Sequence, residues 1–243
     1  TGVQTCALPI CHSHQPQEDC VAQWVACIPE TAATCSAVSF YFARKLHAEL
    51  GVPVGILVQP YAGTPIEGWM PKEIQTADPR SRKIIEEMDA ESAAFDPAAA
   101  TKQLERALER WKRGERKAKP KLRTPSNLGH QYPGNIFNGM IYPVRPYGIR
   151  GAIWYQGERN AKDIAQAANY VHQLPLLIDY YRSSWHRLSK GNVARDFPFY
   201  FVQLPSWHAA QTSPVEENAA WAVSREMMRL VAQIGRASCR ERV

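Results

Sequence analysis

Long apolar runs recur along the chain at intervals that suit separate strands. Three near-continuous runs, at residues 52–59 (VPVGILVQ), 149–155 (IRGAIWY) and 198–204 (PFYFVQL), are typical of strands buried on both faces. A shorter run at residues 23–28 (QWVACI), closed by a proline, predicts a further buried strand. We expect the three long strands to be parallel members of one sheet.

Helical periodicity fills the intervals between these runs. Apolar residues at four-residue spacing after Ser36 predict a helix that ends at Gly51. A second helix is predicted at about 163–188, interrupted or kinked at Pro175, and a third at about 214–231. Strands alternating with helices at these lengths predict βαβ units and a three-layer α/β domain with a parallel sheet.

The region from about 70 to 135 departs from this rhythm and is interpreted as a helical insertion. It contains an acidic helix candidate at 81–92 and a basic segment at 101–123. That segment has ten Lys or Arg and three Glu, a balance of +7 that exceeds the formal net charge of +6. That segment has a single aromatic residue, Trp111, so it lacks the stacking surface of a single-strand nucleic-acid binder. A solvated helix running into a linker is favoured, and no nucleic-acid partner is predicted.

Composition narrows the class of protein further. Hydrophobic residues are 45% and charged residues 21% of the chain, which is typical of a globular protein rather than a disordered one. No apolar run approaches the ~18–20 residues that a membrane span needs, so no membrane span is predicted.

The two ends of the chain have a foreign character. Residues 1–10 (TGVQTCALPI) and 234–243 (IGRASCRERV) resemble translated sequencing-adapter read-through, so we expect neither to belong to the fold. The folded part is then expected at 11–233.

The other cysteines are clustered early, without a Cys-x-x-Cys pair or the His spacing of a zinc site. The sequence is compatible with disulfides and with buried free thiols at these four residues: Cys11, Cys20, Cys27 and Cys35. His12 and His14 beside Cys11 suggest a metal cluster on paper, but a disordered leader is favoured. We predict no metal and no cofactor.

The carboxyl ends of the three long strands carry the candidate chemistry, because ligands bind outside these ends in a parallel α/β sheet. They read QPYAGTPIEGW (59–69), WYQGERN (154–160) and QLPSWH (203–208). Small residues, amides and tryptophans suit the approach of N–H donors to a small polar ligand. Dinucleotide and phosphate loops are absent, as is the Gly-x-Ser-x-Gly nucleophile elbow, which disfavours nucleotide chemistry and an ordinary α/β-hydrolase.

Three blocks together carry a family resemblance. SAVSFYFARKLHAELGVPVGILVQPYAGTPIEGW, NIFNGMIYPVRPYGIRGAIWYQGERNA and FPFYFVQLP resemble the sialate O-acetylesterase family of the SGNH-hydrolase superfamily. The resemblance spans roughly residues 24–230. It implies a three-layer, flavodoxin-like α/β fold, present here incompletely.

The resemblance implies a serine esterase that removes O-acetyl groups from sialic acid or related sugars, exported to the periplasm or beyond in a bacterium. The family's Gly-Gln-Ser-Asn stretch and Asp-x-x-His motif are both missing from the chain. We therefore expect a fragment that holds the middle of the enzyme and is itself inactive. Two alternatives stay open, an acetyl xylan esterase of the same superfamily and a catalytically dead carbohydrate-binding relative.

What remains of the implied site is the oxyanion apparatus. Gly63 matches the block in which a glycine N–H faces the developing oxyanion, and Gln156 matches the amide-bearing block. A plain turn at Gly63 and a loop-bonding role for Gln156 are the competing interpretations. Asn160 is the rival amide, and Glu158 is expected to orient the loop or to pair with Arg225 rather than to transfer protons.

Other residues invite a catalytic interpretation that we do not favour. Ser36 is interpreted as a helix N-cap rather than a nucleophile. His47 is expected to be exposed, and His208 follows a strand end but precedes the position of the family's base. Packing beneath the strand ends is favoured over a sugar platform for three tryptophans: Trp69, Trp154 and Trp207.

Overall fold

The structure, a computed structural model, describes residues 2–207, 219–233 and 240–241 and is an α/β fold. Its strands are β1 (Val3–Ala7), β2 (Val25–Ala26), β3 (Val54–Val58), β4 (Ala152–Trp154), β5 (Phe199–Val202) and β6 (Arg240–Glu241). Its helices are α1 (Pro29–Ala32), α2 (Ala37–Leu50), α3 (Lys72–Ala77), α4 (Pro79–Ala93), α5 (Pro97–Lys112), α6 (Ile164–Leu188) and α7 (Ala220–Gln233). Short 3₁₀ or π turns occupy Ile66–Trp69, Ser126–Leu128, Phe137–Ile141, Tyr142–Val144 and Asn160–Lys162.

The strands hydrogen-bond into two three-stranded sheets rather than one. In the first sheet the order is β2-β1-β3, with β1 parallel to β3 and antiparallel to β2. In the second the order is β4-β5-β6, and both pairs are parallel. The predicted parallel pairing of the second and third long strands is therefore confirmed, whereas the prediction of one common sheet is wrong for β3. Apolar runs indicate buried strands, but they do not say which strands are neighbours.

The neighbour of β3 comes from residues that sequence reasoning left out of the fold. β1 runs beside β3 in a register from Val3 opposite Val54 to Ala7 opposite Val58. Val3 is 1% exposed and packs in a small core with the Cys27 and Ala43 side chains. The first ten residues thus contribute the central strand of the first sheet. At the other end of the chain, β6 lies within the second adapter-like segment.

The shorter predicted strand also differs from expectation. Only Val25–Ala26 forms a strand, and it is an exposed edge of the first sheet rather than a buried strand. The stretch around His12 and His14, interpreted above as a disordered leader, instead packs on the fold, with Ser13 N donating to Asn135 O at 2.9 Å. A Cβ at Gly139 would lie 2.9 Å from Cys11 Sγ, so the missing side chain permits this close approach.

Helix α6 supplies one wall of the main core. It runs unbroken for 25 residues through Pro175, and Asp163 caps its start by accepting from Gln166 N at 2.9 Å. Buried side chains recur on one face at helical spacing: Tyr170, Leu174, Leu177, Ile178 and Tyr181. The tail helix α7 packs on α6, and the predicted positions 214–218 of that helix lie outside the described residues.

The region at about 70–135, interpreted above as an insertion, contains α3, α4 and α5. Asp78 and Asp96 cap α4 and α5 through side-chain bonds to backbone N–H groups. The basic segment begins in α5, where only Ala100 is buried, and continues as irregular chain. No helix within the described ranges is long and apolar enough to cross a membrane.

Candidate active site

The loop that follows β3 turns sharply at Gly63. Gly63 has a φ of +71°, a left-handed conformation that favours glycine, and open space surrounds the position of a Cβ. The Thr64 hydroxyl donates to Tyr61 O at 2.9 Å, which closes the turn. Gly63 is exposed, and its N–H meets no acceptor among the described residues. The N–H is therefore open to a ligand.

Two tryptophans support this loop from below. Trp69 Nε1 donates to Thr64 Oγ1 at 2.9 Å. The Trp69 ring meets the Trp154 ring edge to face, with centroids 5.8 Å apart and an interplanar angle of 86°. Both side chains are buried, so the prediction that they pack beneath the strand ends is confirmed.

Gln156 joins the end of β4 to the Gly63 loop. Its Nε2 donates to Thr64 O at 2.8 Å and to Asn160 Oδ1 at 2.9 Å. Its Oε1 accepts from the Tyr170 hydroxyl at 2.9 Å. The hydrogen bond thus places the Gln156 side chain against Thr64, the residue that follows Gly63. Both amide hydrogens of Gln156 already have acceptors in this arrangement.

Asn160 lies one layer deeper and is fully buried. Its Oδ1 accepts from Ile66 N at 2.9 Å, in addition to the bond from Gln156. Its Nδ2 donates to Glu67 Oε2 at 2.9 Å. Asn160 therefore holds Gln156 and the turn after Gly63 in place, and it has no path to a ligand at the surface.

Glu67 is a functional candidate that sequence reasoning missed. Its carboxylate is only 5% exposed, and it accepts from Asn160 and from Gln173 Nε2, the latter at 2.7 Å. Charge-assisted bonds of this kind stabilise a buried carboxylate. The available signal was its place in the GTPIEGW block, although a glutamate in a turn shows nothing local that predicts burial.

Glu158 stands apart from this network. Its side chain is exposed on the turn that precedes Asn160. In the described part of the chain it forms no ion pair with Arg225, whose Nη1 instead donates to Ser206 Oγ at 2.9 Å. The expected Glu158–Arg225 pair is therefore absent.

A cluster of three rings, the half-buried Tyr61 and His130 and the exposed His12, borders the Gly63 loop. The Tyr61 hydroxyl hydrogen-bonds His12 Nδ1 at 3.0 Å, and the Tyr61 ring stacks on His130 with centroids 5.1 Å apart. Burial lowers the pKa of His130, and the nearby His12 and Arg159 lower it further. Neither His130 nor Arg159 was singled out from the sequence.

The end of β5 places one aromatic ring in the open. Trp207 is 71% exposed, with its ring centroid 6.4 Å from that of Trp221. The expectation that Trp207 packs beneath the sheet is therefore wrong, because its segment runs beyond the strand end over the surface. His208 lies outside the described residues.

The remaining candidates have structural surroundings. Ser36 occupies the N-cap position of α2, although its hydroxyl makes no capping bond. His47 is half-buried rather than exposed, and its Nδ1 lies 2.7 Å from Val52 O. Across the ranges described, no group of three or more His, Cys, Asp or Glu side chains is placed to hold a metal ion.

Comparison with known proteins gives this arrangement a context. No family model matches the chain. Sialate O-acetylesterase of Rattus norvegicus is 28% identical over 179 residues, covering 71% of this chain and 30% of the rat protein. The Homo sapiens protein of the same name is 29% identical over 171 residues, covering 70% of this chain and 25% of the human one. The chain thus spans about a quarter to a third of the length of these relatives.

A solved structure is similar over nearly the whole chain. A carbohydrate acetylesterase from Xanthomonas citri superposes with a TM-score of 0.66 at 25% identity. The match covers 96% of this chain and 40% of that structure. Both kinds of comparison agree with the resemblance drawn from the three sequence blocks.

Proposed function

We propose that this chain is the oxyanion-stabilising part of a serine-type carbohydrate O-acetyl esterase with an SGNH, three-layer α/β fold. The observation that carries the proposal is the Gln156–Thr64 hydrogen bond of 2.8 Å, which joins two strand-end segments that are 92 residues apart. This bond holds the loop that carries the Gly63 N–H, which has no acceptor among the described residues. The Tyr61 and His130 rings lie beside that loop. The named relatives and the structural neighbour support esterase chemistry on an acetylated carbohydrate.

The Gly63 N–H has the properties that acyl transfer requires. When a serine hydroxyl attacks an acetyl carbonyl, negative charge develops on the carbonyl oxygen, and a fixed N–H donor stabilises that charge. Gly63 has no side chain to block the approach, and its backbone is held by the Thr64 bonds. We assign the nucleophile and its base to parts of the longer protein that carry the family's two missing motifs.

Gln156 can act in one of two ways. Donation to the oxyanion requires one of its present bonds, to Thr64 O or Asn160 Oδ1, to break. Positioning of the Gly63 loop requires both bonds to persist. The complete set of bonds favours positioning in the resting chain. Asn160 and Glu67 then position Gln156 from beneath.

The substrate we favour is an O-acetylated sialic acid or a related sugar, in line with the names of the relatives. The exposed Trp207 ring, at the same strand-end edge, offers an apolar face of the kind that stacks on sugar rings. Acetylated xylan is the alternative within the same reaction class. A carbohydrate-binding relative without catalysis would use the same ring without the Gly63 N–H.

The proposal is tested by ligand titration of the ¹⁵N-labelled chain, followed by its amide resonances. O-acetylated sialic acid and an acetylated xylo-oligosaccharide serve as the two ligands. We expect the Gly63 and Thr64 amide resonances to shift with the preferred acetylated sugar and to stay in place with its deacetylated form. Equal shifts with both forms, or shifts confined to the Trp207 region, would contradict an oxyanion role and favour simple carbohydrate binding.

A further inference from the structure

Two cysteines at the edge of the first sheet lie with their sulfur atoms in contact. Cys27 Sγ and Cys35 Sγ are 3.1 Å apart. Cys27 directly follows β2 and is 1% exposed, whereas Cys35 lies just before α2 and is half-buried. A disulfide requires about 2 Å between the sulfurs, so closure asks for a movement of only about 1 Å.

The backbone around both residues is tied down, so the proximity of the sulfurs is built into the fold. Cys27 N donates to Val3 O at 2.9 Å, which anchors this residue to β1. Cys35 N donates to Ala32 O at 3.1 Å in the turn that follows α1. Phe40 and Ile56 pack around the pair in the small second core.

The other described thiols have different surroundings. Cys11 Sγ donates to Gly139 O at 3.0 Å, away from any sulfur. Cys20 is close enough to Cys6 and Cys11 for charge on them to raise its pKa, after the larger effect of burial. Within the described ranges, however, no sulfur–sulfur contact other than Cys27–Cys35 is found. These thiols therefore serve as internal controls.

We propose that Cys27 and Cys35 form an intramolecular disulfide when the chain meets a small disulfide oxidant such as oxidised glutathione. The thiolate of the more accessible Cys35 attacks a glutathione sulfur, forms a mixed disulfide and releases one glutathione. Cys27 then loses its proton to solvent, and its thiolate attacks Cys35 Sγ and releases the second glutathione. Two protein thiols are oxidised, and one glutathione disulfide is reduced to two thiols.

The environment of Cys27 makes the second step the slow one. In the reduced chain, burial and then the hydrogen bond with Cys35 raise the pKa of Cys27. Burial, the larger cause, persists once Cys35 carries glutathione. Little Cys27 thiolate is present at neutral pH, so ring closure should accelerate as the pH rises. The mixed disulfide on Cys35 should accumulate first and then disappear.

Closure would link the end of β2 to the start of α2 through residues 27–35. Because the cross-link restricts the unfolded chain, the oxidised form should melt about 5–10 °C above the reduced form. This inference is independent of the proposed esterase function.

The test is peptide mapping of the whole chain after incubation with oxidised glutathione, with remaining thiols blocked by iodoacetamide. We expect a Cys27–Cys35 cross-linked peptide that forms faster at pH 9 than at pH 7 and that dithiothreitol removes. Cys11→Ser and Cys20→Ser should leave its yield unchanged. Cys27→Ser should stop the reaction at the Cys35–glutathione adduct.

Mapping the unsubstituted chain keeps the proposal testable even if a Cys27 variant fails to fold. Full alkylation of both residues after oxidation, with far-ultraviolet circular dichroism confirming a folded chain, would overturn the proposal. So would a cross-link that joins either residue to another cysteine in preference to its neighbour.

Discussion

The Gln156 side-chain amide donates to the backbone carbonyl of Thr64 at 2.8 Å, and so connects the end of β4 to the loop after β3. This bond is one link in a buried chain of polar groups that continues through Asn160 to Glu67. Each of these bonds restrains the next residue in the series, and the series ends at Thr64. Thr64 adjoins Gly63, the residue whose N–H is open to a ligand. The position of one surface donor thus depends on several interior amides.

We predict that Gln156→Leu lowers the free energy of unfolding by about 2–4 kcal/mol. The substitution removes the side-chain donor to Thr64 O, one of the two donors to Asn160 Oδ1, and one of the two acceptors of the Tyr170 hydroxyl. Urea unfolding followed by circular dichroism measures the change. Gln103→Leu, at an exposed position in α5, is the matched control and should stay within about 0.5 kcal/mol. Equal effects at the two positions would show that the Gln156 network contributes little.

A second prediction separates a buried from an exposed glutamate. Glu67→Gln should lower the free energy of unfolding by about 2–4 kcal/mol. The new amide group would place its N–H donors against the N–H donors of Asn160 or Gln173. Glu158→Gln, the same chemical change on the exposed turn, should be nearly neutral. Denaturant midpoints for the two variants give the comparison. A neutral Glu67→Gln would mean that the carboxylate is not the acceptor for both amides.

The contrast between Glu67 and Glu158 also shows what the sequence could and could not predict. Local signals were reliable: α2 ends at a left-handed Gly51, as predicted, and β4 pairs in parallel with β5. The burial of Glu67 depends instead on Asn160 and Gln173, which are 93 and 106 residues away. Nothing in a local pattern marks such distant partners.

The pairing of β3 failed for a related reason. Its apolar run predicted a buried strand, but the neighbour is β1, within the ten residues set aside for their resemblance to adapter read-through. Likewise, the eight-residue separation of Cys27 and Cys35 matches no metal or redox motif, and only the fold brings their sulfurs together.

The third prediction concerns protonation beside the Gly63 loop. The folded-state pKa of His130 is depressed, so the folded chain prefers the neutral ring. The unfolded chain, with an ordinary pKa of about 6.5, binds the proton more readily. Stability contributed by this residue is therefore present above about pH 6.5 and is lost as the pH falls below that value towards the folded-state pKa.

Titration of the His130 ring by NMR tests this directly. Arg159→Gln should raise the pKa of His130, because it removes a nearby positive charge. Lys102→Gln removes an exposed positive charge in α5 and is the control for net charge. It should leave the pKa of His130 unchanged. A His130 titration at or above the ordinary value would contradict the effect of burial.

The last prediction is that the 243-residue chain does not hydrolyse p-nitrophenyl acetate above background. An N–H donor stabilises the transition state, but turnover also requires a nucleophile and a base within hydrogen-bond reach of each other. Loss of such a pair typically costs on the order of a millionfold in rate. Ser36, the serine that most resembles a candidate by its place before a helix, is assigned to the N-cap position of α2. Ser36→Ala should therefore change nothing, and robust activity abolished by that substitution would instead identify Ser36 as the nucleophile.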